Sequence, residues 1–446
     1  MFLKRTELST DLRSDQAEFK LTVGQNNQPR QLEASALSPQ TWPFGLEWLP
    51  PAAYLVGGNV RDALLGRQAE YLDLDFVLPE AAVRTAKMIA NHYRAGFVLL
   101  DAERQIARVV FERATVDFAQ QVGLSLEEDL EHRDFTVNAI AYDPHTAQVI
   151  DPLHGYSDLQ LRLIRMVRLE NLKEDPLRLL RAYRQAAQLG FTIEYKTRKT
   201  IQQLAGLLQF VAAERVQSEL SYLLGSASST PFLKLAWQDR LLAAWLPHAT
   251  AEGLERVAAV DQAAELLGST QSGLELSGWL RDQQRVSGST RSWLKVAKLT
   301  GLLAPDPEMA EQELWRLKYS RAEIQAVLAV MSLLPQVEAM ANCPPSAREQ
   351  YYLFRAIGAA FPALAVVGIA SGVPLTTMAP LIERYLTLDD PIAHPQPLLT
   401  GRDLMAQLKL PPSPTIGHLL EAIQLAHAEG KITTQAEALE FAKTLL

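Results

Sequence analysis

The chain has 446 residues, 48% of them apolar and 21% charged, with a formal net charge of −8. That length accommodates two or more domains with sizeable cores, and the composition is that of a soluble globular protein. The single cysteine, Cys343, excludes an intramolecular disulfide and any cysteine-rich zinc site, and the acidic balance does not advertise a nucleic-acid binder, although phosphate recognition depends on local basic patches.

Residues 1–40 are polar and aperiodic and read as a loosely held extension. The opening Met-Phe-Leu-Lys-Arg-Thr-Glu has no apolar run after its basic residues, so the expected location is the cytoplasm. From Trp42 the texture changes. Ala53–Val56 reads as a buried strand, Val60–Leu65 as a short helix, Leu72–Leu78 as a second strand and Ala81–Tyr93 as a helix. Phe97–Leu100, Ile106–Phe111 and Val116–Ala119 read as further strands of a mixed α/β unit ending near residue 170.

Beyond Glu174 the strand signals fade. Leu177–Leu189 is periodic at 3.6 residues, and Leu- and Ala-rich helical patterns continue to the end, divided by turn signals at Gly225-Ser226, Pro305-Asp306-Pro307 and Pro411 to Pro414. Ala356 to Ile382 carries no charge and is long enough to span a bilayer. Pro362, Pro374, Pro380 and Gly358, Gly368, Gly372 break it into short pieces, so it reads as buried helices with no membrane partner.

Four clusters carry chemistry. Gly57-Gly58 follows a strand and opens a helix, where backbone N–H groups can approach phosphates closely, and Arg61 offers a fixed fork of donors. Alone this is a common tight turn. Soon after it, Asp73 and Asp75 alternate along a strand and so share one face. Asp is unfavourable in strands, and the neighbours here are apolar, so a bound cation explains the pair better than two solvated acids. Hard oxygen ligands at that spacing suit Mg²⁺, completed by water and substrate phosphates, and the reading is metal-assisted nucleotidyl transfer. Asp117 is a candidate third carboxylate, with a structural or solvated role as the alternative.

The third cluster runs from His132 to Ala139. Arg133 could neutralise a phosphate, and Asp134 and Asn138 could hydrogen-bond a ribose; the competing reading is a surface salt bridge of little worth. The fourth runs from Glu174 to Arg184. Asp175 fits a helix N-cap and Pro176 the first turn, while Arg178, Arg181 and Arg184 form a stripe along one flank. Asp175 and Arg178 could present an acceptor and donors to a base edge; a capped helix with solvated arginines is the alternative. From Arg162 to Lys199 ten Lys or Arg face four Asp or Glu, a local basic patch suited to phosphate-rich substrates.

In this order and spacing the clusters resemble the class II tRNA nucleotidyltransferase and bacterial poly(A) polymerase family. Gly57 to Asp75 is similar to its Gly-Gly-x-x-Arg-Asp…Asp-x-Asp motif, and His132 to Ala139 to its Arg-Arg-Asp-Phe-Thr-x-Asn-Ala motif. Asp151-Pro152-Leu153 with Asp158-Leu159 resembles a connecting motif, Glu174 to Arg184 the base-recognition motif, Glu214-Arg215 with Glu219-Leu220 the neck-helix motif, and Leu399 to Leu404 a tail segment. The resemblance implies an α+β chain: a five-stranded, polymerase β-like head (41–170), a helical neck (171–240), and a helical body and tail (241–446) that hold tRNA.

It also implies Asp73 and Asp75 as metal ligands. Gly58, Arg61 and Arg133 would handle the nucleoside triphosphate, with Asp134 and Asn138 near its ribose, and Asp175 with Arg178 would pair with the incoming base, assisted by Arg181 and Arg184. The partners implied are the tRNA 3′ end and CTP, with ATP as a further nucleotide; no protein partner is implied.

Two departures from the pattern stand out. His132 replaces the usual first arginine, and Gln120 to Ser125 leave little room for the long flexible loop that full CCA-adding members carry. Members that add only CC share this shortening, so the expectation is a CC-adding enzyme. A complete CCA-adding enzyme, an A-adding enzyme and a poly(A) polymerase are the alternatives within the class, and a non-catalytic RNA-binding relative lies outside it.

Overall fold

The computed structural model describes residues 20–22, 35–67, 71–225, 229–269, 292–341 and 343–446. The chain divides into two compact units, Met1–Asp175 with Phe191–Thr200, and Pro176–Gly190 with Ile201–Leu446.

The first unit is built on one mixed sheet. Its strands are β1 (Lys20–Thr22), β2 (Tyr54–Val56), β3 (Leu72–Leu78), β4 (Gly96–Asp101), β5 (Ile106–Val110), β6 (Ala114–Gln120), β7 (Ala141–Asp143) and β8 (Gln148–Ile150), in the order β1-β8-β7-β2-β3-β6-β5-β4. Among these, β3 and β6 run parallel and the other neighbours are antiparallel. The sheet thus has eight strands where the resemblance implies five. The short hairpin β7–β8 and the three-residue β1 carry too few residues for a period-2 signal. Strand β1 also corrects the reading of residues 1–40 as loosely held at that point, since Lys20 to Thr22 pair with Ile150 to Gln148. Residues 1–19 and 23–34 of that extension lie outside the described residues.

Alternation along β3 separates two jobs. Leu74, Phe76 and Leu78 point into the core with Val116 and Phe118 of β6 and Ala107 and Val109 of β5, all almost fully buried. Phe76 and Phe118 stack with centroids 5.6 Å apart, and Trp42 closes on Phe76 edge-on at 5.1 Å. The helix α1 (Gly58–Leu64) follows β2, and α2 (Ala82–Tyr93) packs against β5 and β6 through Ala82, Ala86, Ile89 and Ala90, spaced as one helical face. On the opposite face Val56 and Val77 pack with Leu126 and Leu130 of α3 (Leu126–Glu131) and with Ala139 and Ala141. That cover stops at Val77. Asp73 is exposed and Asp75 only partly buried.

Two short helices, α4 (Gly155–Gln160) and α5 (Leu169–Glu174), complete the head. Gly155 must be glycine, because a Cβ there would lie 2.1 Å from the Thr136 carbonyl oxygen. Such contact lets α4 brace the turn Thr136–Asn138.

The second unit is helical throughout its described residues. It opens with α6 (Leu177–Leu189), at the bounds its periodicity predicts, and ends with a tail cluster in which Leu404, Leu419, Ile423 and Ala438 are buried together. The predicted turn at Pro305-Asp306-Pro307 is a helix start, with Asp306 Oδ1 accepting the Met309 amide at 2.9 Å. Of the turn predicted at Gly225-Ser226, Ser226 lies outside the described residues. Ala347–Ala370 is long and apolar enough to cross a membrane, yet 67% of its apolar 18-residue stretch is buried inside the protein. Its later part, Phe361–Ala370, is apolar all round and enclosed from Phe361 to Gly368, as expected of a core helix.

Candidate active site

The glycine turn after β2 sits directly against the acids of β3. Gly57 has φ +77°, a left-handed value that favours glycine, and a Cβ there would stand 3.3 Å from Asp75 Oδ2 and 3.8 Å from Arg133 Nη1. Gly58 opens α1. Arg61 is largely buried and directs its fork inward: Nε and Nη2 each donate to Asp62 at 2.9 Å, and Nη1 donates to Asn138 Oδ1 at 2.7 Å. Asn138 in turn donates to Asp134 Oδ1 at 2.9 Å, which also accepts the Phe135 amide at 2.7 Å. Arg61, Asn138 and Asp134 therefore form one chain of hydrogen bonds beside the glycine turn.

The face of β3 that carries the acids continues across the sheet by register. Asp73 lies beside Thr115, and Asp75 beside Asp117 of β6, which lies beside Arg108 of β5. Thr115 Oγ1 donates to Asp73 Oδ1, and Asn59 Nδ2 donates to the Asp73 backbone carbonyl. Asp117 is gripped in a two-point pair by Arg108, Nε to Oδ1 at 2.7 Å and Nη2 to Oδ2 at 2.8 Å. Burial first, then the Asp73 and Asp117 carboxylates, push the Asp75 carboxyl up to about 7.

Arg133 is set by its surroundings. Its Nη2 donates to Asp129 Oδ2 at 3.0 Å, and its carbonyl accepts the Asn171 side-chain amide at 2.7 Å. His132 is exposed, and its Nδ1 donates to the Glu128 carbonyl at 2.7 Å in the tautomer protonated there. The connection from β6 to α3 is the short stretch from Gln121 to Ser125, tied down at three amides, of which Gln121 donates to the Leu78 carbonyl at 2.8 Å. Val122 donates to Asp129 Oδ1 at 3.0 Å, and Leu124 to Glu128 Oε2 at 2.6 Å. Sequence reasoning missed Thr115, Arg108, Asp129 and Asn171. Only Asp129 left a local trace, its four-residue spacing from Arg133 on one helical turn.

Asp175 belongs to the first unit, where it ends α5, and Arg178, Arg181 and Arg184 belong to the second. The expected N-cap is displaced by one residue: Pro176 occupies that position on α6, which has no side-chain cap. All three arginines are partly buried along α6. Arg184 pairs with Glu219 and lies 5.9 Å from the centroid of the Tyr222 ring.

Three family models match the chain: "Poly A polymerase head domain" over residues 53–165, "Probable RNA and SrmB- binding site of polymerase A" over 190–252, and "tRNA nucleotidyltransferase domain 2" over 284–442. A CC-adding tRNA nucleotidyltransferase from Synechocystis is 48% identical over 408 residues, covering 91% of this chain and 96% of that protein. The chain belongs to the tRNA nucleotidyltransferase family. An A-adding tRNA nucleotidyltransferase from Deinococcus radiodurans is 33% identical, covering 88% of this chain and 95% of the relative. The fold agrees with a solved CCA-adding enzyme in complex with CTP, at TM-score 0.66 and 24% identity over 88% of this chain and 91% of that one.

Catalysis in a tRNA nucleotidyltransferase depends on a divalent cation. Asp73 and Asp75 fit one: two hard oxygen donors share a strand face, and burial together with the neighbouring Asp73 and Asp117 carboxylates raises the Asp75 carboxyl, a cost that a cation would offset. Among the described residues no group of three or more His, Cys, Asp or Glu is placed to hold a metal.

Proposed function

We propose that this tRNA nucleotidyltransferase adds CC to the 3′ end of tRNA, using CTP and Mg²⁺ at Asp73 and Asp75, in the cytoplasm. The observation that carries the CC reading is the short, tied connection between β6 and α3, which has no room for a long flexible loop. The Synechocystis relative, itself named a CC-adding enzyme, supports the same reading.

In this reading Gly57 and Gly58 let the triphosphate lie close to β3, and Arg133, oriented by Asp129, neutralises its phosphates. Gly58 and the remaining donors of Arg61 line the same wall, while Asp134 and Asn138 meet the ribose. Asp175 and Arg178 read the base, assisted by Arg181 and Arg184. When bound, the cation supplies charge neutralisation at the attacking oxygen and the departing pyrophosphate. Thr115 and Asn59 hold Asp73 in place, so that the chain's own hydrogen bonds fix the donor spacing. The basic residues between Arg162 and Lys199 and the helical second unit receive the tRNA.

The test is to incubate the purified protein with tRNA ending at the discriminator base, CTP and ATP, and to sequence the products. Two added cytidines are expected even with ATP in excess. Three added nucleotides ending in A would replace the CC reading with a complete CCA activity, and a single A on tRNA ending in CC would replace it with the A-adding reading.

A further inference from the structure

We propose that Arg108 binds the terminal phosphodiester of the RNA strand and thereby sets the position from which its 3′ hydroxyl attacks. This inference rests on the nucleotidyl-transfer reading above.

The strand order divides the catalytic face in two. On the β2 side of Asp73 and Asp75 lie the Gly57 turn, Arg61 and Arg133, the groups suited to a triphosphate. On the other side lie β6, β5 and β4. Displacement at the α-phosphate is roughly in line, so the attacking oxygen and the leaving pyrophosphate stand on opposite sides of it. If the pyrophosphate leaves toward the glycine turn, the RNA comes in over β6 and β5.

The exposed face of those strands has a distinctive make-up. Register places Thr115, Asp117 and Ala119 of β6, Ile106, Arg108 and Val110 of β5, and Gly96 and Val98 of β4 on the same face as the acids. Arg108 is the one cation among these residues, in direct register with Asp117 and, through it, with Asp75. Its side chain remains 38% exposed.

The pair with Asp117 uses Nε and Nη2, which fixes the plane of the guanidinium and leaves the Nη1 edge for a second oxyanion. Beside it Val98 and Val110 are 45% and 38% exposed, an apolar floor next to a single cation. That combination suits the terminal nucleotide of an RNA strand, with its phosphate on the guanidinium and its sugar or base against the valines. Asp117 is then the anchor of Arg108 rather than a metal carboxylate.

The experiment compares the full-length protein with Arg108→Ala, Arg108→Lys and Asp117→Asn, using tRNA that lacks its CCA end, CTP and Mg²⁺. For Arg108→Ala we expect kcat/KM for tRNA to fall about tenfold to a hundredfold while KM for CTP changes less than about twofold. Equilibrium binding of tRNA without nucleotide should show a salt dependence shallower by about 0.7 in slope, the loss of one phosphate contact to a single strand. Arg108→Lys should recover the slope but only part of kcat/KM, since a point charge lacks the fork. Asp117→Asn should keep the slope and lose part of kcat, because the cation is present but no longer aimed.

An unchanged tRNA KM and salt slope in Arg108→Ala, in a protein whose melting temperature matches the parent, overturns this inference alone. So does a defect confined to CTP. Failure of the unsubstituted protein to extend tRNA would overturn the functional reading and this inference with it.

Discussion

Asp129 joins Arg133 to the β6–α3 connection: one carboxylate oxygen accepts Arg133 Nη2 at 3.0 Å and the other accepts the Val122 amide at 3.0 Å. The side chain is buried and both oxygens are used, so the path of the connection and the aim of the arginine are one structural fact. Replacing Asp129 by Ala should lower kcat/KM for CTP about tenfold to a hundredfold, the range for losing a charged hydrogen bond, with tRNA affinity within about twofold. Steady-state kinetics with varied CTP check this. A variant with parental CTP kinetics would detach Arg133 from the nucleotide.

Asp73→Asn and Asp75→Asn each keep side-chain shape and remove one anionic donor. Both should reduce turnover at least about 1,000-fold, since the lost cation contribution is several kcal/mol. Asp73 is exposed, so Asp73→Asn should melt near the parent's temperature, whereas Asp75→Asn should melt at or above it at pH 8 without a cation. Near-normal turnover in either variant would overturn the metal assignment.

The raised Asp75 carboxyl gives a pH signature with a definite sign. The folded protein keeps a proton that the unfolded chain releases, so without a cation its stability falls as pH rises from about 4 through about 7. A cation favours the ionised form and competes with that proton. Magnesium should therefore raise the melting temperature more at pH 8 than at pH 5.5, and Asp75→Asn should abolish the difference. Scanning calorimetry at both pH values, with and without magnesium, reads this directly. An equal shift at the two pH values would mean that the ion binds elsewhere.

Asp175→Ala should blur base choice. The ratio of kcat/KM for CTP over ATP is expected to fall about tenfold, as for removal of a hydrogen bond that a polar pocket uses to discriminate, with little change in tRNA binding. An unchanged ratio, measured by single-nucleotide incorporation, would remove the base-reading role.

Within the helical unit, Lys298 has no solvent exposure and contacts Asp261 at 2.6 Å and Ser229 Oγ at 2.9 Å. Burial pulls its ammonium pKa down, and Asp261 opposes the shift. Lys298→Ala should destabilise the helical unit by about 3–5 kcal/mol because it strands a carboxylate. Lys298→Met combined with Asp261→Leu should recover much of that loss. Chemical denaturation of the two variants separates the outcomes; equal destabilisation would mean that shape rather than charge pairing holds the site.

Legibility in the sequence follows how local each feature is. Leu177–Leu189 and Leu72–Leu78 fall at their predicted bounds because each carries a full, clean period. Gly57, Asp73, Asp75 and Arg133 stand out because their spacing is itself a pattern, and the structure sets Asp75 and Arg133 so close to Gly57 that a Cβ there would lie 3.3 and 3.8 Å from them. Arg108 was not readable. Its meaning arises only when β5 and β6 pair in a register that sets it beside Asp117, and that register depends on the whole sheet. Pro176 rather than Asp175 stands at the N-cap position of α6, one residue from the expected start, because residue type locates a helix end less sharply than the backbone path does.

Strand β3 is flanked on both sides, by β2 and by seven consecutive registered residues of β6. The backbone beneath Asp73 and Asp75 is thus set when the head folds, and in the proposed reading little ordering cost would fall on cation binding. On that reading, the seven-residue pairing with β6 would make the strand under the two acids a fixed reference for successive additions.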